Sequence, residues 1–271
     1  MVAQKSISKS MNAKILGSGK QTIVLAHGYG GDNSVWDNVI NPLSELYQVL
    51  VFDWSFSGVV KDLDLFDAVK YSSYDAFADD LIDLLEEMNL KSSVFVGHSM
   101  SGMIGCIASV KRPDLFTRLV LVASSPRFIN TDEYEGGFEI PQVEQLFASI
   151  ESNYDQWAPS FASIVVDKND PLSVEKFAGS LTRMGVKTAL PLAKSVFLSD
   201  HRDVLEQVTT PCTIIQSVND VVVPNSVPLF MQKKIKGKCN VEVIDIEGHF
   251  PQLTAPKQFL EVIDKAMIDS L

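Results

Sequence analysis

With 271 residues, 46% of them hydrophobic, the chain has enough apolar side chain to bury a large core, as one domain with an insertion or as two small ones. A formal net charge of −11 argues against nucleic acid and anionic membranes as partners, because both call for clustered Lys and Arg. Cys106, Cys212 and Cys239 are odd in number, far apart and without a Cys-x-x-Cys pair, which argues against zinc or redox chemistry and fits a reducing intracellular setting.

No metal and no cofactor is expected. The first ten residues carry no continuous apolar stretch of the secretory kind, and the longest apolar runs, such as Leu119-Val120-Leu121-Val122-Ala123, are strand-sized. A soluble, unanchored monomer is expected.

The first buried-type strand is Thr22-Ile23-Val24-Leu25-Ala26, which runs into His27-Gly28-Tyr29-Gly30-Gly31. Those glycines let the backbone turn its amides inward. The loop lacks the Gly-x-Gly-x-x-Gly spacing and the lysine of a P-loop, so nucleotide binding falls behind. His27 reads as a brace for the loop. A second strand is predicted at residues 48 to 53, followed by a helix whose apolar stripe is Phe77, Leu81, Leu84, Leu85 and Met88.

The strand at 93 to 97 stops at Gly97-His98-Ser99-Met100-Ser101-Gly102, a serine between small residues followed at once by a helical stretch. That is the layout of a nucleophile elbow. The usual Gly-x-Ser-x-Gly pattern places glycine where this chain has Ser101, and serine is small enough for close helix-strand approach. His98 reads as a structural elbow residue. A further strand is predicted at 118 to 123, with Cys106 in the preceding helix as a small buried hydrophobe.

After Ala123 the alternation of strand and helix breaks for about 70 residues, with helices predicted near 141 to 152, 154 to 164, 172 to 183 and 187 to 198. This segment, residues 129 to 199, is expected to be a helical lid inserted into a core formed by 1 to 128 and 200 to 271. It holds Phe138, Leu146, Phe147, Trp157, Phe161, Phe177 and Phe197, more apolar side chain than a thin helical layer needs. An apolar pocket above Ser99 is therefore expected, lined by Phe138, Leu146, Trp157, Phe161, Phe177 and Phe197 with Tyr29, Phe128 and Val221.

Two late strands, 212 to 218 and 241 to 246, end at Asn219-Asp220 and at Glu247-Gly248-His249-Phe250-Pro251. Cys212 opens the first of them. A serine hydroxyl needs a histidine base, and that base needs a carboxylate to set its tautomer. Ser99, Asp220 and His249 stand in the chain order of this architecture, each just past a strand. The oxyanion donors are assigned to the amides of Tyr29 and Met100. His201 has no motif around it. Alternating elements with continuously apolar strands predict an α/β fold, a mostly parallel sheet covered by helices on both faces. Ligands bind beyond the carboxyl ends of such strands.

The chain resembles the plant strigolactone and karrikin receptor hydrolases, a branch of the α/β-hydrolase fold that also resembles a bacterial stress-response regulator. The resemblance rests on Gly17-Ser18-Gly19, His27-Gly28-Tyr29-Gly30-Gly31, Val96-Gly97-His98-Ser99-Met100-Ser101, Arg112-Pro113-Asp114-Leu115-Phe116, Ser125-Pro126-Arg127-Phe128, Gly136-Gly137-Phe138-Glu139 and Gly248-His249-Phe250-Pro251-Gln252-Leu253. Phe52-Asp53-Trp54-Ser55-Phe56-Ser57-Gly58 and Gly102-Met103-Ile104-Gly105-Cys106 are similar to its DWARF-fourteen-like-two branch. The established receptors carry a glycine-rich loop in place of Trp54-Ser55-Phe56-Ser57, phenylalanine in place of Tyr29 and tyrosine in place of Phe128. These changes are expected to touch the pocket or its rim.

The resemblance implies that Ser99 attacks a butenolide carbonyl, that His249 is the base and can retain part of the ligand covalently, and that Asp220 orients it. It also implies slow turnover coupled to lid movement, with recruitment of a leucine-rich-repeat F-box protein and a Clp-ATPase-like repressor in cytoplasm and nucleus. A metabolic carboxylesterase without signalling and a non-catalytic interaction protein are the alternatives.

Overall fold

The computed structural model describes residues 6–60 and 65–268, so Met1 to Lys5 of the stretch read for a secretory signal lie outside the described residues. Seven strands form one sheet: β1 (Lys14–Leu16), β2 (Thr22–Ala26), β3 (Gln48–Val51), β4 (Ser93–His98), β5 (Phe116–Val122), β6 (Cys212–Asn219) and β7 (Cys239–Glu247), in the spatial order β1-β3-β2-β4-β5-β6-β7. Every pairing is parallel except that of β1 with β3. β2 and β4 are buried along their whole length, as a parallel sheet covered on both faces requires.

The helices are α1 (Ile7–Ser10), α2 (Asp37–Leu46), α3 (Tyr74–Glu87), α4 (Met100–Lys111), α5 (Ile140–Ser152), α6 (Tyr154–Val165), α7 (Pro171–Met184), α8 (Val186–Phe197), α9 (Ser226–Lys234), α10 (Pro251–Thr254) and α11 (Pro256–Ile268). α3 buries Phe77, Leu81, Leu84 and Leu85, the stripe that its period predicts.

β1 escapes sequence reading because its three residues are all exposed and carry no burial pattern. The predicted strand at 48 to 53 ends at Val51, since Phe52 and Asp53 leave the ladder and the Asp53 amide donates to the Met11 carbonyl at 2.7 Å.

α5 to α8 lie between β5 and β6 and form the cap over the sheet's carboxyl edge, α5 packing on α8 and α6 on α7. α5 opens with a capping box of Glu139 and Gln142, and Asp170 caps α7 by accepting from the Ser173 amide at 3.1 Å. Gly185 separates α7 from α8 at φ +73°, a conformation in which glycine carries no steric cost. The two chain segments that lead into and out of the cap meet at an antiparallel bridge between Arg127 and Asp200, closed by an ion pair at 2.6 Å.

Because the central strands run parallel, the loops after β2, β4, β6 and β7 emerge at one edge of the sheet. That edge holds His27–Gly31, Ser99, Asp220 and His249.

Candidate active site

Ser99 follows β4 at φ 55° and ψ −122°, a left-handed conformation that costs a non-glycine residue roughly 1–3 kcal/mol. The turn is held by the Ser99 amide on the Val122 carbonyl at 2.8 Å and the Gly102 amide on the Ser99 carbonyl at 3.0 Å. A Cβ on Gly97 would stand 2.6 Å from the Ser101 backbone, and one on Gly102 only 2.0 Å from Ser124 Oγ, so the elbow excludes side chains at both positions. Ser101 does not interfere, because its hydroxyl turns away to donate to the His27 carbonyl at 2.6 Å.

Asp220 sits directly after β6. Its Oδ1 accepts from the amides of Val222 and Val223 at 2.8 and 3.2 Å, and its Oδ2 lies 2.7 Å from His249 Nδ1. The two side chains are 0% and 6% exposed, so the pair is shielded from water. With Nδ1–H donated to a carboxylate, the lone pair on Nε2 is left to accept a proton.

The His249 loop is fixed from three sides. Gly248 takes φ +89°, and its amide donates to the Asn219 carbonyl at 2.9 Å. The His249 amide donates to the Val165 carbonyl at 2.7 Å, and its own carbonyl accepts from His98 Nε2 at 2.9 Å. Burial, reinforced by the neighbouring His249, drives the His98 imidazole well below the usual histidine range, so it stays neutral.

Met100 is the first residue of α4, so its amide has no acceptor within the helix and points out of the positive end. The loop with Tyr29 comes so close that a Cβ on Gly28 would lie 3.0 Å from Ser99 Cβ. His27 braces this loop: one ring nitrogen accepts from the Trp54 amide at 3.1 Å, leaving Nδ1–H to donate to the Gly28 carbonyl at 3.0 Å. Burial lowers its pKa. His201 stacks on Tyr74 at 4.5 Å and is not on the cavity wall.

Above Ser99 lies a cavity walled by Tyr29, His98, Ser99, Phe128, Phe161, Val165, Phe177, Val196, Phe197, Val222, His249 and Phe250. Its free volume, counted as the space that the centre of a water molecule can reach, is about 30 Å³. The Tyr29 hydroxyl is occupied by the Ala189 carbonyl of α8 at 3.1 Å, so the upper wall is almost wholly apolar.

Four of the expected lining residues lie elsewhere. Phe138 packs edge-on to Phe197 at 5.5 Å, Trp157 stacks between Tyr154 and Phe161, and Leu146 sits half-buried against the core. Val221 is 58% exposed, because the amides that Asp220 accepts turn the chain and put Val222 on the wall instead. Val165 was within reach of helical spacing, one turn beyond Phe161, and Phe250 adjoins His249. Trp54 and Phe56 do not reach the cavity either. They are 0% and 2% exposed, with Trp54 edge-on to Phe52 and Phe77 and Phe56 edge-on to His27.

Among the described residues no group of His, Cys, Asp and Glu is arranged to hold a metal ion, and no helix is long and apolar enough to cross a membrane.

The model of the alpha/beta hydrolase family matches residues 23–262. The chain is 42% identical over 258 residues to karrikin insensitive 2 receptor CA of Petunia hybrida, covering 95% of each. It is 38% identical over 262 residues to strigolactone esterase RMS3 of Pisum sativum, covering 96% of this chain and 98% of the other. The chain belongs to the strigolactone and karrikin receptor family of α/β-hydrolases. A solved hydrolase from Oleispira antarctica superposes on this receptor-family hydrolase with a TM-score of 0.90 at 31% identity, covering 95% of this chain and 96% of the other. An esterase from Exiguobacterium antarcticum, at 22% identity and a TM-score of 0.85, shares the fold.

Proposed function

We propose that this hydrolase binds a small butenolide-type ligand and cleaves it slowly, with Ser99 as nucleophile, His249 as general base and Asp220 as its orienting carboxylate. The observation that carries the reading is that His249, paired with Asp220 at 2.7 Å, lines the same cavity as a serine in a strained elbow. Ser99 Oγ adds to the ligand carbonyl while His249 Nε2 takes its proton. The amides of Tyr29 and Met100 donate to the oxyanion. Collapse expels the ester oxygen, which recovers the proton from the imidazolium, and water then releases the acyl group with His249 again as base.

An apolar wall with few free polar groups suits a ligand that offers one carbonyl on a hydrophobic ring. The cavity accounts for the slow step. Space for about 30 Å³ of water centres holds little more than two waters, so a ring enters only as the cap gives way. In this reading residues 129 to 199 act as a lid on a core of 1 to 128 and 200 to 271. Family membership supports extending it to a receptor role in cytoplasm and nucleus, with an F-box protein and a Clp-ATPase-like repressor as partners.

The test is hydrolysis of a fluorogenic butenolide by the wild type and by Ser99→Ala, together with the melting shift each shows with the ligand. A rate carried by Ser99 and a rise in melting temperature support the reading. Equal rates would exclude Ser99 as the nucleophile, and fast turnover without a shift would favour a metabolic carboxylesterase.

A further inference from the structure

Trp54 lies far from the nucleophile elbow in sequence and Ser101 lies within it, yet both bond to the segment that carries the oxyanion loop. The Ser101 hydroxyl donates to the His27 carbonyl at 2.6 Å. The Trp54 indole N–H is shared between that carbonyl and Ser101 Oγ, at 3.0 Å to each. All three residues are fully buried. A glycine at position 101, the usual residue of the elbow pattern, would offer no hydroxyl to this arrangement.

The bonds continue into the loop. The Trp54 amide donates to His27 Nε2 at 3.1 Å, which leaves the proton on Nδ1, and Nδ1 reaches the Gly28 carbonyl at 3.0 Å. The Gly31 amide donates to the same carbonyl at 3.2 Å. Gly28 C=O and Tyr29 N–H belong to one peptide unit, which is planar and trans. Whatever pins that carbonyl therefore aims the Tyr29 amide the opposite way.

We infer that Trp54 and Ser101 are positioning residues for the oxyanion hole, acting as one clamp that holds the His27–Tyr29 segment in register with the elbow. The inference rests on the hydrolase reading above. A clamp of this kind touches no part of the ligand, so its value lies in holding a donor where negative charge develops.

Trp54→Phe keeps an aromatic ring and removes the N–H, and Ser101→Ala removes the hydroxyl. Each is expected to lower kcat on the fluorogenic butenolide about 10-fold or more, with KM within about twofold and the pH profile unchanged. A phenylboronic acid, whose adduct with the nucleophile is tetrahedral, should bind more weakly by a similar factor. The double variant should be no worse than about either single one, because the two groups act as a unit.

Wild-type kcat in both variants, or losses that appear in KM or multiply in the double variant, would overturn the clamp. If Trp54→Phe does not fold, Ser101→Ala decides alone. Ser99→Ala run alongside separates the two failures. An active Ser99→Ala sinks the hydrolase reading, whereas an inactive Ser99→Ala beside fully active clamp variants sinks only the clamp.

Discussion

The amide of His249 donates to the carbonyl of Val165, 2.7 Å away, so the loop that carries the proposed base hangs from the last turn of a cap helix. Any displacement of α6 acts directly on the imidazole. The other half of the site is tied in the same way, with Ser180 Oγ donating to the Gly30 carbonyl at 2.8 Å and Arg183 paired to Asp32 at 2.7 Å.

Gly248→Ala tests the tie between α6 and the base. The added Cβ would lie 2.8 Å from the Asp167 amide, at a backbone φ of +89° that alanine adopts poorly. Hydrolysis should fall by at least about 10-fold, since an error of about 1 Å at a reacting group can cost about 100-fold. Steady-state kinetics with circular dichroism to verify folding would measure it.

Asp220→Asn keeps an oxygen for the Val222 and Val223 amides and so turns its NH2 group, a donor, toward His249. The imidazole then loses its set tautomer. A fall in kcat of about 1,000- to 10,000-fold is expected with the melting temperature little changed. Retention of more than about a tenth of the wild-type rate would remove Asp220 from the mechanism.

The cavity sets an order among substrates. Aryl acetates should be cleaved faster than butyrates, and octanoates scarcely at all, in a spectrophotometric series. Phe161→Ala, in the half-buried part of the wall, should lower KM for the longer esters more than for acetate. Equal rates along the wild-type series would show that the cap opens without cost.

The clasp at the base of the cap is sensitive to acid. Burial acts to raise the Asp200 carboxyl, but hydrogen bonds from Arg202 and Arg127 outweigh it and hold the pKa down at about 2. The folded value lies below the unfolded one, roughly 3.9, so the stabilisation is complete above that value and is lost as pH falls toward about 2. Asp200→Asn should therefore melt below the wild type at pH 7, and the gap should close near pH 2. A gap that persists at low pH would assign the effect to packing.

Much of the architecture was legible because its signals are local. Runs such as Ile23-Val24-Leu25 and Phe95-Val96 mark buried strands by composition alone, and the stripe from Phe77 to Leu85 marks a helix by period. The cap helices begin and end within two residues of their predicted limits, since Pro171 and Gly185 punctuate the chain by fixing or freeing φ. β1 was not legible, because three exposed residues at a sheet edge leave no pattern to read.

By itself the sequence determined the α/β order of elements and the succession Ser99, Asp220, His249, since strand, helix and turn preferences act over a few residues. Only the tertiary structure decided that Asp220 touches His249, that Val222 rather than Val221 faces the cavity, and that Trp54 is bonded to the His27 carbonyl and buried instead of lying at the rim. These outcomes depend on which distant side chains fill one space, and close packing among residues far apart in the chain has no local signature.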